Sequence, residues 1–154
     1  MFHIVLYEPE IPPNTGNIIR LSANSGSKLH LIHPLGFELD DKRLRRAGLD
    51  YHEWAEVQEH SSLDAFVDKV KPTTLYACTT RAQRLYSNVA YQPGDALLFG
   101  PETRGLPQSF LDQLPREQWL RIPMLPDSRS LNLSNAASLI LYEAWRQQGF
   151  DGAI

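Results

Sequence analysis

The stretch Ile122-Pro-Met-Leu-Pro-Asp-Ser-Arg-Ser-Leu-Asn-Leu-Ser-Asn-Ala-Ala-Ser-Leu-Ile-Leu-Tyr-Glu-Ala-Trp145 joins a short apolar strand to a proline-rich polar loop and then to a long apolar helix. Ser130, Asn132 and Ser134 are each suitable helix N-cap residues. The first turn of a helix also has free amide N–H groups that can bind a carboxylate or a phosphate. The stretch therefore predicts either an over-capped helix or a ligand site where the helix begins.

Strand and helix patterns alternate along the whole chain, which predicts an α/β fold with a mostly parallel sheet and helices on both faces. No repeat, low-complexity segment or linker divides the sequence, so we expect a single domain over residues 1–154. The predicted strands and helices are, in order, strands 2–7, 29–32, 73–78, 96–100 and 119–122, and helices 17–23, 40–47, 61–70, a short one after Pro107, and 133–147.

Composition limits the possible functions. The net charge is −3 and the chain has one cysteine, Cys78. A single cysteine excludes an intrachain disulfide and a multi-cysteine metal site, and it favours a cytoplasmic location. The segment Met1–Pro9 lacks a basic start and predicts a first strand rather than a signal peptide, and no apolar run reaches membrane-spanning length.

The segment Lys42-Arg-Leu-Arg-Arg46 is a local basic patch in an otherwise acidic chain. It follows Asp40-Asp41, a pair that favours the start of a helix. Lys42, Arg43 and Arg46 either form a solvated helix face or contact a polyanion such as RNA.

Two other loops follow predicted strands, where ligands bind in parallel sheets. The first contains Asn14, a possible cap, and Arg20 in the next helix. The second is Gly100-Pro-Glu-Thr-Arg-Gly105, whose glycines allow a ligand to approach the backbone closely. It lacks the lysine and hydroxyl residue of a nucleotide phosphate loop, and the Rossmann glycine pattern is absent.

Histidine and serine offer no catalytic pattern of their own. The five histidines have no metal-ligand spacing, so we expect structural or surface roles and no metal. No Gly-x-Ser-x-Gly elbow is present.

Three motifs occur together and in order: residues 14–20 (Asn-Thr-Gly-Asn-Ile-Ile-Arg), 98–106 (Leu-Phe-Gly-Pro-Glu-Thr-Arg-Gly-Leu) and the stretch from Ile122 to Asn135. They resemble the motifs of the SPOUT family of RNA 2'-O-ribose methyltransferases. The similarity extends through residues 5–10, 41–52 and 142–147. It is strongest to the branch that methylates cytidine or uridine at the wobble position of the tRNA anticodon.

This resemblance implies a deep trefoil knot in the C-terminal part of the fold, a homodimer, S-adenosylmethionine as methyl donor and an anticodon stem-loop as substrate. The implied cofactor-binding residues are Cys78, Gly100, Ile122, Met124, Ser130 and Leu131.

The resemblance also implies that Arg20 is the catalytic arginine. Because a guanidinium is a poor base near neutral pH, we expect it to stabilise the developing oxyanion or to fix a phosphate that accepts the proton. Asn14, Ser130 and Asn132 would orient the ribose and Arg20. We expect Glu102 to anchor Arg104 or the second loop.

The last predicted helix is apolar over more than one face, which indicates a partner and fits a homodimer. Tyr142 on this helix either reaches the site or packs in the core. Three alternatives stay open: methylation of another RNA site, a non-catalytic RNA-binding module with the same fold, and a small-molecule transferase in an ordinary doubly wound fold.

Overall fold

A computed structural model describes residues 1–154. It contains six strands, six α-helices and one 3₁₀ turn. The strands are β1 (His3–Tyr7), β2 (Lys28–Ile32), β3 (Gln58–His60), β4 (Leu75–Cys78), β5 (Ala96–Phe99) and β6 (Trp119–Leu120). The helices are α1 (Pro12–Ser25), α2 (Asp41–Arg46), α3 (Tyr51–Trp54), α4 (Leu63–Val70), α5 (Gln108–Leu111) and α6 (Leu133–Gln147), with the 3₁₀ turn at Arg116–Gln118.

All six strands belong to one parallel sheet in the order β3-β2-β1-β5-β4-β6. The central strand β1 pairs with β2 on one side and β5 on the other, with Ile4 opposite Leu29 and Leu97. Because every strand runs the same way, the loops after β1, β4, β5 and β6 leave the same edge of the sheet. The prediction of a mostly parallel α/β fold is confirmed.

Helices cover both faces of the sheet, as predicted. In β1, Ile4 and Leu6 face the core formed with α1 and α6, whereas Val5 faces the core formed with α4 and α5. Burial on both faces explains why the strands are continuous apolar runs rather than alternating ones. No helix combines the length and the hydropathy needed to span a bilayer.

Helix α1 begins five residues earlier than predicted, and Asn14 is not its cap. Ile11 occupies the N-cap position without a side-chain hydrogen bond, and prolines fill the first helical positions. Proline is tolerated there because its missing N–H would have had no partner within the helix. Asn14 is instead a buried residue inside the helix, free to make a tertiary contact.

Helix α6 has the predicted bounds, and Asn132 is its N-cap: its side-chain oxygen accepts from the Ser134 amide N–H at 2.9 Å. Strand β6 is two residues long rather than four. The elements α3 and β3 were missed, because a four-residue helix and a three-residue edge strand are too short to show a period.

Three histidines form a hydrogen-bonded row across β1, β2 and β3. His3 Nδ1 lies 2.9 Å from His30 Nε2, and His30 Nδ1 lies 2.9 Å from His60 Nε2. Their rings pack around Phe66 of α4. Burial lowers the pKa of His30 to about 3, and it also lowers the pKa of His3 and His60.

We expect the neutral His30 to make the protein less stable in acid. The unfolded state takes up a proton near the ordinary histidine pKa of about 6.5, whereas folded His30 stays neutral down to about pH 3. Stability is therefore complete above pH 6.5 and falls below it, by up to about 1.4 kcal/mol per pH unit for this group. The free energy of unfolding, measured with urea between pH 7.5 and 5, should depend less on pH in His30→Gln than in the wild-type protein. The exposed His52→Gln is the control, and an equal pH dependence in both variants would contradict the assignment.

Candidate functional site

A cavity of about 510 Å³ opens at the edge of the sheet where β4, β5 and β6 end. Its lining comes from the loops that follow these strands, from the start of α1 and from the start of α6. All six predicted cofactor-binding residues line it: Cys78, Gly100, Ile122, Met124, Ser130 and Leu131. Asn14 and Asn132 line it as well. The fold thus brings the second and third motifs together with one residue of the first.

Gly100 is required for the shape of the loop after β5. A Cβ atom at this position would lie 2.4 Å from the Leu106 amide nitrogen and 2.6 Å from the Gly105 carbonyl carbon. Gly105 itself has a φ of 69°, in the left-handed region that favours glycine. The loop therefore folds back on itself so closely that its backbone forms part of the cavity wall.

A chain of three side chains links the three motifs. Asn132 Nδ2 donates to Asn14 Oδ1 at 2.9 Å, and Asn14 Nδ2 donates to Glu102 Oε2 at 3.2 Å. Asn14 is 6 % exposed, so both its bonds are largely shielded from water. The start of α1, the loop after β5 and the start of α6 are thereby fixed relative to one another around the cavity.

Glu102 anchors the start of α1 and does not bind Arg104. Its carboxylate accepts from the backbone N–H groups of Glu10 and Ile11, each at 2.8 Å. These bonds satisfy donors just before the helix that lacks its own side-chain cap. Arg104 instead pairs with Glu8 at 3.4 Å and Glu10 at 3.7 Å. The alternative that Glu102 anchors Arg104 was wrong.

Arg20 does not line this cavity. It lies on α1 and lines a neighbouring groove, where Glu53 of α3 holds its guanidinium: Arg20 Nε donates to Glu53 Oε2 at 3.0 Å. Arg20 Nη2 also donates to the Gly48 carbonyl. Hydrogen bonds to Glu53 raise the pKa of Arg20 and lower that of Glu53. This arginine is therefore permanently charged and firmly positioned.

The predicted basic patch is divided between two surfaces. Arg43 lines the same groove as Arg20 and pairs with Glu38 at 2.8 Å. Lys42 and Arg46 face outward on the other side of α2. All three side chains belong to exposed residues, which leaves them available to a polyanion.

The partner of Arg20 was not predicted from the sequence. Glu53 lies in the motif Asp50-x-x-Glu53, a capping box that signals a helix start but not a partner for Arg20.

Tyr142 is 42 % exposed, packs on Trp145 and does not line the cavity. Burial raises the pKa of Cys78 to about 12, so its thiol is neutral and no nucleophile.

Residues 1–142 match the SpoU rRNA methylase family. The chain belongs to this family. The match spans all three motifs that surround the cavity and confirms the resemblance drawn from them. The trefoil knot stays a prediction that this membership supports.

Two relatives that align with the full length of the chain have the same enzyme name. The chain is 64 % identical over 154 residues to the tRNA (cytidine(34)-2'-O)-methyltransferase of Escherichia coli strain K12, covering 100 % of this chain and 98 % of the relative. It is 61 % identical to the enzyme of the same name from Aeromonas hydrophila, covering 100 % and 99 %.

Solved structures have the same fold. One that concerns the 2-OH methylation of C/U34 on tRNA has a TM-score of 0.87 and 44 % identity, with 97 % of each chain covered. The SpoU methyltransferase AviRb of Streptomyces viridochromogenes, in complex with AdoMet, has a TM-score of 0.79 and 25 % identity, covering 98 % of this chain and 58 % of that one.

Proposed function

We propose that this protein transfers a methyl group from S-adenosylmethionine to the ribose 2'-oxygen of cytidine or uridine at the wobble position of tRNA. The observation that carries the proposal is the cavity at the strand ends. Residues of all three motifs line it, in a chain that belongs to the SpoU rRNA methylase family. Full-length relatives at 61 to 64 % identity have the corresponding name, which supports the same substrate.

The cavity suits S-adenosylmethionine in size and lining. Its volume of about 510 Å³ lies within the range of about 300–1,000 Å³ typical of small-molecule sites. The folded-back loop at Gly100 exposes backbone groups to a polar ligand, and Cys78, Ile122, Met124 and Leu131 supply apolar contacts. When bound, S-adenosylmethionine supplies an electrophilic methyl group on a positively charged sulfur.

Arg20 acts by charge and by hydrogen bonding. Because a guanidinium is protonated near neutral pH and is a poor base, Arg20 stabilises the 2'-oxygen as negative charge develops or fixes a neighbouring phosphate that takes the proton. Asn14, Ser130 and Asn132 border the cofactor cavity, where they orient the ribose. Positioning of this kind supplies several kcal/mol when the reacting atoms are aligned.

The RNA-binding surface includes the basic side chains on both sides of α2. Lys42, Arg43 and Arg46 contact phosphates of the anticodon stem-loop, whose unpaired nucleotides expose their bases and 2'-hydroxyls. Lys42 and Arg46 line a shallow depression on the outer side of this helix. A local patch of this kind allows an acidic chain to bind a polyanion.

The assembly we propose is a homodimer that uses α6. Leu139 and Tyr142, three residues apart on this helix, are 41 % and 42 % exposed. A second copy that packs on them would remove this apolar surface from water. The two cores share one sheet, which supports a single domain over residues 1–154. The lone cysteine fits a cytoplasmic enzyme.

Methyl transfer from labelled S-adenosylmethionine to unmodified bulk tRNA tests the function. We expect a 2'-O-methyl group at the wobble nucleotide, located by nuclease mapping. Arg20→Ala should lose at least about a hundredfold in kcat, the loss typical of a missing transition-state contact, and should keep its cofactor affinity. Label on another nucleotide, or cofactor binding without transfer to any tRNA tested, would contradict the proposal and favour another RNA site or a binding module.

Removal of the Glu53 carboxylate should lower kcat because Arg20 would lose the partner that positions its guanidinium. Glu53→Ala frees the guanidinium from its bidentate partner, so we expect a loss in kcat with little change in the KM for S-adenosylmethionine. Adding Glu53→Ala to Arg20→Ala should cause no further loss in kcat. Glu56→Ala, which removes an exposed carboxylate paired with Lys28, is the control. Additive losses would show that Glu53 acts independently of Arg20.

A further inference from the structure

A second groove lies beside the cofactor cavity, and residues of the first motif form part of its lining. It has a volume of about 730 Å³ and lies between the first turns of α1 and residues 37–49. Apolar side chains line its walls, together with the arginines Arg20 and Arg43. The apolar wall residues are Phe37, Leu39, Leu44, Ala47 and Leu49.

We propose that this groove binds the acceptor nucleotide of the RNA, with the base on Phe37 and a phosphate at Arg20 and Arg43. The inference rests on the proposed function and adds a place for the substrate, formed by the first motif together with residues 37–49. Unpaired RNA bases are commonly stacked on aromatic rings and arginine side chains. Phe37 is the aromatic residue of this groove and is half-buried.

The charges at the groove suit a phosphate. Glu53 and the Gly48 carbonyl occupy Nε and Nη2 of Arg20, which leaves its Nη1 without a protein partner. Arg43 pairs with Glu38 at 2.8 Å and with Asp40 at 3.5 Å, but the side chains of these partners are 79 % and 47 % exposed. Because exposed ion pairs of this kind contribute about 0–1 kcal/mol, a phosphate can compete for Arg43.

The groove and the cofactor cavity are neighbours along one helix. Pro12 and Pro13 line the groove, whereas Ile11 and Asn14 line the cofactor cavity. A nucleotide in the groove therefore lies beside the first turn of α1, next to the site of the methyl donor. The hydrogen bonds from Asn14 to Glu102 and from Asn132 to Asn14 hold this turn in place.

Kinetics with an anticodon stem-loop RNA carrying cytidine at the wobble position tests the inference. We expect Phe37→Ala and Phe37→Leu each to raise the KM for RNA by roughly tenfold or more, the usual effect of losing one stacked base. Phe37→Tyr should retain the wild-type KM, because it keeps the ring. The affinity for S-adenosylmethionine should not change. Tyr51→Ala removes an aromatic residue that is 64 % exposed and does not line the groove, so it is the matched control.

The outcomes separate this inference from the proposed function. If the wild-type protein methylates no tRNA, the proposed function fails. If the wild-type protein methylates the wobble nucleotide but Phe37→Ala and Phe37→Leu keep its KM for RNA, the groove is not the acceptor site. Photo-crosslinking of wild-type protein to RNA with 4-thiouridine at the wobble position needs no variant. Crosslinks to residues 37–49 or to the first turns of α1 support the inference, and crosslinks confined to other segments overturn it.

Discussion

The structure depends on the buried side chain of Asn14, which holds together the starts of α1 and α6 and the loop after β5. Its amide accepts from Asn132 and donates to Glu102, and these partners lie 118 and 88 positions away in the chain. Parallel strands bring their carboxyl ends to one edge of the sheet, but they do not fix the loops that follow. The hydrogen-bonded chain does so, and it requires a polar residue within the helix near its start, where propensity alone would not place one.

The neighbouring contacts reinforce this arrangement. Glu102 also accepts from two backbone N–H groups ahead of α1, so one carboxylate both fixes Asn14 and caps the helix. Asn132 caps α6 while it binds Asn14. The groups that shape the cavity at the strand ends are therefore the same groups that fix the starts of two helices. The shape of the cavity and the stability of these helix starts depend on a shared set of hydrogen bonds.

Much of the fold could be predicted from the sequence because its signals are local. The bounds of α6 follow from Asn132 as a cap and from a long apolar run, and the buried strands follow from their composition. The short elements α3 and β3 could not be predicted, since four residues and three residues are too few for a pattern to repeat. Asn14 was expected to cap a helix because its residue type favours caps, but tertiary hydrogen bonds decide its position.

The site was predictable to the extent that its residues lie in motifs. Every expected cofactor-binding residue lines one cavity, whereas Arg20 lines the adjacent groove. The pairing of Arg20 with Glu53 joins residues 33 positions apart through the fold, and no local pattern indicates it. The groove is likewise a product of packing between α1 and residues 37–49.

A double-mutant cycle on Asn14 and Asn132 tests the central claim most directly. Titration calorimetry would measure the affinity for S-adenosylmethionine of Asn14→Ala, Asn132→Ala and the double variant. If the hydrogen bond between the two side chains holds the cavity together, the losses are non-additive, with a coupling energy of about 0.5–3 kcal/mol. Losses that add within about 0.5 kcal/mol would contradict the account, because each residue would then act on the cavity independently.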